Sequence, residues 1–327
     1  MKSTKTITIK NAGGPSVIEY FEVALKKPEK DEVQIEHKAI GLNFIDIYHR
    51  SGVYPLTLPS GLGMEASGIV TDIGENVTHL EIGDRVVYAA SQLGAYCQAR
   101  TMPATQVCKL PNEISFEDAA AIMLKGLTVE YLFHRTTEIN SDDTILFHAA
   151  AGGVGLIACQ WAKSENIRLI GTAGSEEKCN LAIKNGASNM INYRKENFPE
   201  KVLELTKGQG VPIVMDSVGK DTFVGSIDCL QPLGIMISFG NSSGKVPPID
   251  IGLLQSKGSL KLTRPTLFNP HLSSFEKCQR MANHLFEKVI SKKIKVFIGQ
   301  TFSFEDIPKA HEALQSGKTT GSTIIKV

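Results

Sequence analysis

The sequence predicts an α/β fold in which a doubly wound parallel sheet is joined to a smaller β-rich domain. The chain has 327 residues, which exceeds the usual size of one domain. Roughly the first 120 residues read as short strands separated by clusters of glycine, proline and charged residues. Beyond that point apolar strands alternate with helical segments, and strands that are apolar on both faces are typical of parallel sheets covered by helices.

The β-rich domain is predicted from short β-branched runs. Strands are expected at residues 7–9, 33–36 and 67–70. A Gly83-Asp84 turn should feed a fourth strand that contains Val86 and Val87, because Gly-Asp favours a turn and valine favours a strand.

The second region alternates strand and helix. Strands are expected at 144–149, 168–171, 190–192, 213–215 and 235–237, and helices at 154–163, 175–185, 198–207 and 221–229. A long helix at 273–291 and a strand at 322–327 follow. We predict one domain at 1–123 completed by 266–327, and a second at 124–265.

Composition excludes several classes of protein. Thirty-five basic and 34 acidic side chains give a net charge of +1, which argues against nucleic acid or anionic lipid as the main partner. A local basic patch around Lys257, Lys261 and Arg264 is the exception, and solvated surface is its ordinary explanation. No stretch approaches the roughly 20 apolar residues of a membrane span. Six scattered cysteines without a C-x-x-C pair indicate reduced thiols in a cytoplasmic protein.

A glycine-rich turn lies between the strand at 144–149 and the following helix. It contains Ala151, Gly152, Gly153, Val154 and Gly155. Gly152 would let backbone amides approach a pyrophosphate, and Gly155 would let helix and strand pack closely. Such a triplet alone fits a tight turn without a ligand equally well, but the surrounding β-α repeats favour a dinucleotide site.

The end of the next strand indicates which dinucleotide. Enzymes that use NAD place an acidic residue there for the ribose 2′-hydroxyl. Residues 171–175, which end in Gly174 and Ser175, contain no acid, and Lys178 follows one helical turn later. Although a lone lysine is most often a solvated surface residue, the missing acid and the available lysine together favour NADPH.

Five separated segments resemble the zinc-independent quinone oxidoreductases of the medium-chain dehydrogenase/reductase superfamily. They are residues 39–46, 61–68, 124–128, 149–155 and 239–244. The resemblance implies a GroES-like domain completed by the C-terminal tail, a Rossmann domain, NADPH in the cleft, and a homodimer formed through an edge strand near 258–262. It also implies cofactor contacts from residues in both domains: Asn43, Thr128, Lys178, Tyr193, Ser217, Phe239, Gly240 and Asn241.

Two positions depart from related patterns. Where close relatives carry an arginine toward the 2′-phosphate, this chain has Gly317 and then Lys318, which makes Lys318 the candidate for that contact. Where the alcohol dehydrogenases of the superfamily hold catalytic zinc, this chain has Asn43, Met64 and Leu124, with only Glu65 left as a ligand. Because a zinc site needs three or four such ligands, no metal is predicted.

Without a Lewis acid, the substrate must be one already prone to reduction, and a quinone fits that description. Asn43 could hydrogen-bond the acceptor carbonyl or the nicotinamide ribose, and Tyr48 could donate to a developing oxyanion, although a packed aromatic role explains Tyr48 as well. Two alternatives stay open: an NADPH-dependent reductase of activated C=C bonds in enones, and a non-enzymatic crystallin-like or RNA-binding role.

Overall fold

The computed structural model describes residues 2–327. The strands of this part of the chain are β1 Ser3–Thr8, β2 Glu19–Ala24, β3 Glu32–Leu42, β4 Glu65–Ile73, β5 Arg85–Ala89, β6 Ala99–Pro103, β7 Val107–Lys109, β8 Thr144–Phe147, β9 Arg168–Ala173, β10 Asn189–Asn192, β11 Val211–Asp216, β12 Leu230–Ser238, β13 Lys261–Thr263, β14 Ile298–Ser303 and β15 Ser322–Lys326. The helices are α1 Phe44–Ser51, α2 Phe116–His134, α3 Gly153–Ser164, α4 Glu176–Lys184, α5 Phe198–Leu205, α6 Phe223–Asp228, α7 Gly252–Ser256, α8 Phe275–Ile290 and α9 Ile307–Gln315.

One compact unit is β-rich and contains the residues up to Glu130 together with Leu267–Lys292 and Val296–Val327. Its main sheet has the order β14-β15-β3-β4-β5-β7, and β6 also pairs with β3. Strand β15 runs antiparallel to β3, with Thr323 opposite Leu42, so the C-terminal strand completes a sheet begun near the N-terminus. Strands β1 and β2 form a separate antiparallel ribbon.

The second unit spans Tyr131–Thr266 and Lys293–Lys295 and is built on a parallel sheet. The strand order is β10-β9-β8-β11-β12-β13, and every adjacent pair is parallel. The chain moves outward from β8 in one direction and then from β11 in the other, so the order reverses between these two strands. Ligands of doubly wound sheets bind at such a switch point, beyond the carboxyl ends of the strands.

The structure confirms the predicted fold class, a parallel Rossmann sheet plus a separate β-rich domain. The strand-helix alternation between β8 and β12 follows the predicted order. Helices α1, α2, α7 and α9 went unpredicted, and α1 occupies a region that the pattern had assigned to strands and turns. The domain limits 1–123, 124–265 and 266–327 stay a prediction.

The edge strand was placed too early. Strand β13 begins at Lys261, whereas the expected edge strand began near Gly258. Gly258 has a φ of +109° and lies in the turn that precedes the strand. Left-handed backbone of this kind favours glycine and ends regular pairing, which is why the strand is short.

No helix among residues 2–327 combines the length and apolar character needed to cross a membrane.

Candidate active site

The glycine-rich turn joins β8 to α3 and is tightly packed. Ala149 has a φ of +56°, and Gly152, which precedes the first residue of α3, donates its N–H to the Ala149 carbonyl at 3.0 Å. A Cβ on Gly155 would lie 2.5 Å from both the Ala149 oxygen and the Ala150 Cα atom, and neither backbone atom can move aside easily. Gly155 therefore permits the close approach of helix and strand. Ala151, Gly152, Gly153 and Val154 lie at the start of α3, where helix N–H groups attract anions.

The end of β9 brings four predicted residues together. Ser175 caps α4, and its side chain accepts a hydrogen bond from the Lys178 amide at 3.3 Å. A Cβ on Gly174 would lie 2.6 Å from the Tyr193 hydroxyl, so Tyr193 covers this glycine. Partial burial lowers the pKa of Lys178, and the positive charge of Arg194 lowers it further.

The first acidic residue after this turn, Glu176, contacts Asn192 and Lys195. Glu176 accepts a hydrogen bond from Asn192 Nδ2 at 3.0 Å, and its Oε1 lies 3.1 Å from Lys195 Nζ. These contacts lower the pKa of Glu176. Both contacts fall on Oε1 and connect this carboxylate to Asn192 and Lys195.

Ser217, Phe239, Gly240 and Asn241 lie at the carboxyl ends of β11 and β12. A Cβ on Gly240 would lie 2.4 Å from the Ser217 carbonyl oxygen, so these two segments are in direct backbone contact. Phe239 donates its N–H to the Asp216 carbonyl at 2.8 Å. The structure thus brings all four residues to one edge of the parallel sheet, and their contact with a cofactor stays a prediction.

Two residues that support this edge were missed. Buried Asp216 accepts hydrogen bonds from the Val218 and Gly219 amides at 2.7 and 3.0 Å, which fixes the turn after β11. Arg264 donates from Nη1 to the Gly240 carbonyl at 3.0 Å. Its Nη2 lies 3.0 Å from the Asn241 amide in the orientation that the hydrogen bonds favour.

Arg264 is exposed, as the ordinary explanation of the basic patch expects, but its guanidinium also binds the loop, and this role could be found only from tertiary contacts. Lys257 is also engaged, because its Nζ lies 2.6 Å from an Asp228 carboxylate oxygen.

In the β-rich unit, a buried carboxylate contacts Asn43 and Leu124, two of the three positions where the alcohol dehydrogenases hold zinc. Glu65 is fully buried, and its Oε2 accepts a hydrogen bond from Asn43 Nδ2 at 2.7 Å and lies 3.5 Å from Lys125 Nζ. Its Oε1 accepts from the Leu124 amide at 2.6 Å. A Cβ on Gly41 would lie 2.2 Å from Oε2, so glycine makes room for the carboxylate.

Asn43 precedes α1, and a second buried carboxylate fixes its backbone. Its N–H donates to Asp46 Oδ2 at 2.8 Å, and the same oxygen accepts from the Tyr96 hydroxyl at 3.0 Å. Burial raises the pKa of Asp46 to about 7, although these hydrogen bonds oppose the shift. A hydrogen bond from the backbone amide of the residue before a helix to the side chain of the third helical residue commonly begins a helix. It explains why α1 begins where strands were expected.

The remaining predicted residues of this unit differ in their surroundings. The Tyr48 ring is 7% exposed and packs 5.0 Å from the Tyr54 ring and 5.5 Å from the Phe44 ring, measured between centroids. The Thr128 hydroxyl donates to the Leu124 carbonyl at 2.7 Å, on the same helical turn that binds Glu65. Lys318 is exposed, and its amide donates to Ser316 Oγ at 3.3 Å.

Comparison with known proteins decides the family. Residues 29–140 match the family described as alcohol dehydrogenase GroES-like domain, and residues 153–287 match the family described as zinc-binding dehydrogenase. The quinone oxidoreductase of Salmonella typhimurium is 50% identical over 316 residues, covering 96% of either chain. This chain belongs to the quinone oxidoreductase family.

Other members and neighbours of this family cover nearly the whole chain. The crystal structure of Escherichia coli quinone oxidoreductase complexed with NADPH superposes with a TM-score of 0.97 at 49% identity, covering 99% of this chain and 100% of that one. The 2-haloacrylate reductase of a Burkholderia species is 37% identical and covers 97% of either chain. The chain is therefore similar to enzymes named for two kinds of acceptor, a quinone and a 2-haloacrylate.

The residues of this family member do not fit the metal in the name of the zinc-binding dehydrogenase family. The corresponding positions hold Asn43, Met64 and Leu124, none of which is a strong zinc ligand. Their neighbour Glu65 is one, but both of its oxygens already accept hydrogen bonds. Asn43 turns its amide nitrogen, a donor, toward that carboxylate. A tetrahedral site with three or four protein ligands cannot be built from this set.

Proposed function

We propose that this chain transfers reducing equivalents from NADPH to a quinone, without a zinc ion. The observation that carries the choice of cofactor is the turn after β9, where Glu176 is bound to Asn192 and Lys195 while Lys178 and Tyr193 lie around Gly174. This arrangement offers a 2′-phosphate a cation and a hydroxyl. Residues 171–175 contain no acid, although a carboxylate that recognises the 2′-hydroxyl of NADH is expected there.

The sheet edge supplies the rest of the cofactor site in this proposal. The α3 N-terminus at Gly152 to Gly155 would bind the pyrophosphate, and the segments at Ser217 and at 239–241 would line the path toward the nicotinamide. Thr128 and Lys318 are proposed as further cofactor contacts. NADPH, when bound, supplies the hydride.

Asn43 and Tyr48 are the proposed catalytic residues. One N–H of the Asn43 amide donates to Glu65, which leaves its second N–H available to a ligand. Because Glu65 holds the side chain and Asp46 holds the backbone, Asn43 is preorganised to hydrogen-bond the acceptor carbonyl or the nicotinamide ribose. The Tyr48 hydroxyl would donate to the oxygen on which negative charge develops.

The test is a binding titration followed by turnover. Metal-free protein is titrated with NADPH and with NADH by fluorescence, and absorbance loss is then followed after a simple quinone is added. We expect preferential NADPH binding and quinone-dependent oxidation, with Lys178→Ala losing at least about tenfold in NADPH affinity. Lys184→Ala, at the other end of α4, is the matched control. Absence of nucleotide binding would refute the proposal.

A reductase of activated C=C bonds is the second candidate, and the similarity to 2-haloacrylate reductase favours it specifically. The same experiment with an α,β-enone separates the two acceptors. Oxidation of NADPH by the enone but not by the quinone would reverse the ranking. No observation on this chain favours the RNA-binding or crystallin-like alternative.

We propose that the protein is a homodimer that pairs through β13. This strand is the edge of the parallel sheet, and Leu262 on it is 39% exposed. A Leu262→Asp variant that elutes as a monomer, beside a dimeric wild type, would support this interface, and a monomeric wild type would refute it.

We also propose that the protein is located in the cytoplasm. All six cysteines are buried and none forms a disulfide bond, which supports a reducing compartment.

A further inference from the structure

A second cation lies beside the turn that follows β9. Arg194 comes two residues after the end of β10, and its Nε atom lies 3.4 Å from the point that a Cβ on Gly174 would occupy. The Tyr193 hydroxyl lies 2.6 Å from the same point. The two side chains therefore converge over the glycine that joins β9 to the cap of α4.

Two cations lie near each other at this turn. Arg194 is near enough to Lys178 for its positive charge to lower the lysine pKa, after the larger effect of burial. The neighbouring carboxylates have other partners: Glu176 binds Asn192 and Lys195, and Glu196 accepts from the Asn192 amide at 3.2 Å. Two like charges repel each other, and an anion bound between them would remove that cost.

The Arg194 side chain is available for such an anion. Its backbone N–H donates to Asn192 Oδ1 at 3.2 Å, and among residues 2–327 its guanidinium has no hydrogen bond or ion pair. A guanidinium is planar and can bind a phosphate through two parallel N–H donors, which a lysine ammonium cannot do.

We propose that Arg194 determines cofactor specificity by binding the 2′-phosphate of NADPH together with Lys178. This inference rests on the proposed function and deepens it. It places the guanidinium that binds the 2′-phosphate just after β10. The sequence analysis had instead named Lys318, in the C-terminal loop, as the candidate for this phosphate contact. Arg194 was not among the residues that the sequence indicated.

The experiment compares Arg194→Ala, Lys318→Ala and the control Lys184→Ala, each titrated with NADPH, NADH and adenosine 2′,5′-bisphosphate. Lys184 is an exposed cation in the last turn of α4, away from Gly174. We expect Arg194→Ala to lose at least about tenfold in affinity for NADPH and for the bisphosphate, because it loses a charge-assisted contact. Its affinity for NADH should stay unchanged, and Arg194→Lys should restore part of the loss.

Each other outcome has a distinct meaning. Unchanged NADPH affinity in Arg194→Ala would overturn the inference, and so would an equal loss for NADPH and NADH, which would indicate a structural role. Wild-type protein that binds neither nucleotide would refute the proposed function itself.

Discussion

Replacing Lys125 with methionine should destabilise the β-rich unit, because it leaves the Glu65 carboxylate buried without a cation. The Lys125 side chain is 7% exposed, the Glu65 side chain is fully buried, and their charged atoms are 3.5 Å apart. At an effective dielectric constant of 20, this separation corresponds to a Coulomb attraction of about 5 kcal/mol. Glu65 keeps its hydrogen bonds from Asn43 and Leu124. We therefore expect the free energy of unfolding to fall by about 3 kcal/mol, the lower end of the range for broken buried ion pairs.

The assay is urea unfolding of Lys125→Met followed by fluorescence, with the midpoint and slope fitted together. Lys38→Met is the matched control, because Lys38 pairs with Glu36 at the surface and should cost less than about 1 kcal/mol. Adding Glu65→Gln to Lys125→Met should recover part of the loss, since the uncompensated charge is then gone. A loss below about 1 kcal/mol in Lys125→Met, or no recovery in the double variant, would refute the reasoning.

Three further predictions concern the buried acid, the glycine turn and the loop arginine. Burial raises the pKa of Asp46 to about 7, whereas the unfolded carboxyl has a pKa of about 4, so between these pH values the native state holds a proton that the unfolded chain has already lost. Stability from this group therefore falls as pH rises from about 4 to about 7. Asp46→Asn should remove on the order of a few kcal/mol of this dependence, measured by urea unfolding at pH 5 and pH 8. A pH dependence identical to that of the wild type would contradict this. Gly155→Ala should cost about 1–3 kcal/mol and weaken NADPH binding, because its Cβ would meet backbone atoms at 2.5 Å, whereas Gly14→Ala, with nothing within 4 Å, should change the unfolding midpoint little. Arg264→Ala should weaken NADPH binding about tenfold by releasing the Gly240 carbonyl, while wild-type affinity in that variant would show that the loop holds its shape alone.

The regular part of the fold could be predicted from the sequence. Strands buried on both faces need long apolar runs, and α3 needs an apolar helical face directly after a glycine turn, so both leave a local pattern. The glycine turn at Gly152 and Gly155 also leaves a local sequence pattern, because only glycine tolerates the close approach that the structure shows. Helix α1 is short, and the local Asn43-x-x-Asp46 spacing with which it begins was overlooked when this region was assigned to strands and turns.

Tertiary structure decided what the individual polar residues do. Arg264 and Arg194 look alike in the sequence as cations near a strand end, yet one binds the Gly240 carbonyl and the other lies over Gly174. Glu65 could be predicted as a leftover zinc ligand, but its contacts with Asn43 and Lys125 depend on helices and strands that are distant in the chain. Hydrophobic periodicity is a local property and determines the elements, whereas the partner of a charged side chain is set by chain segments that meet only after folding.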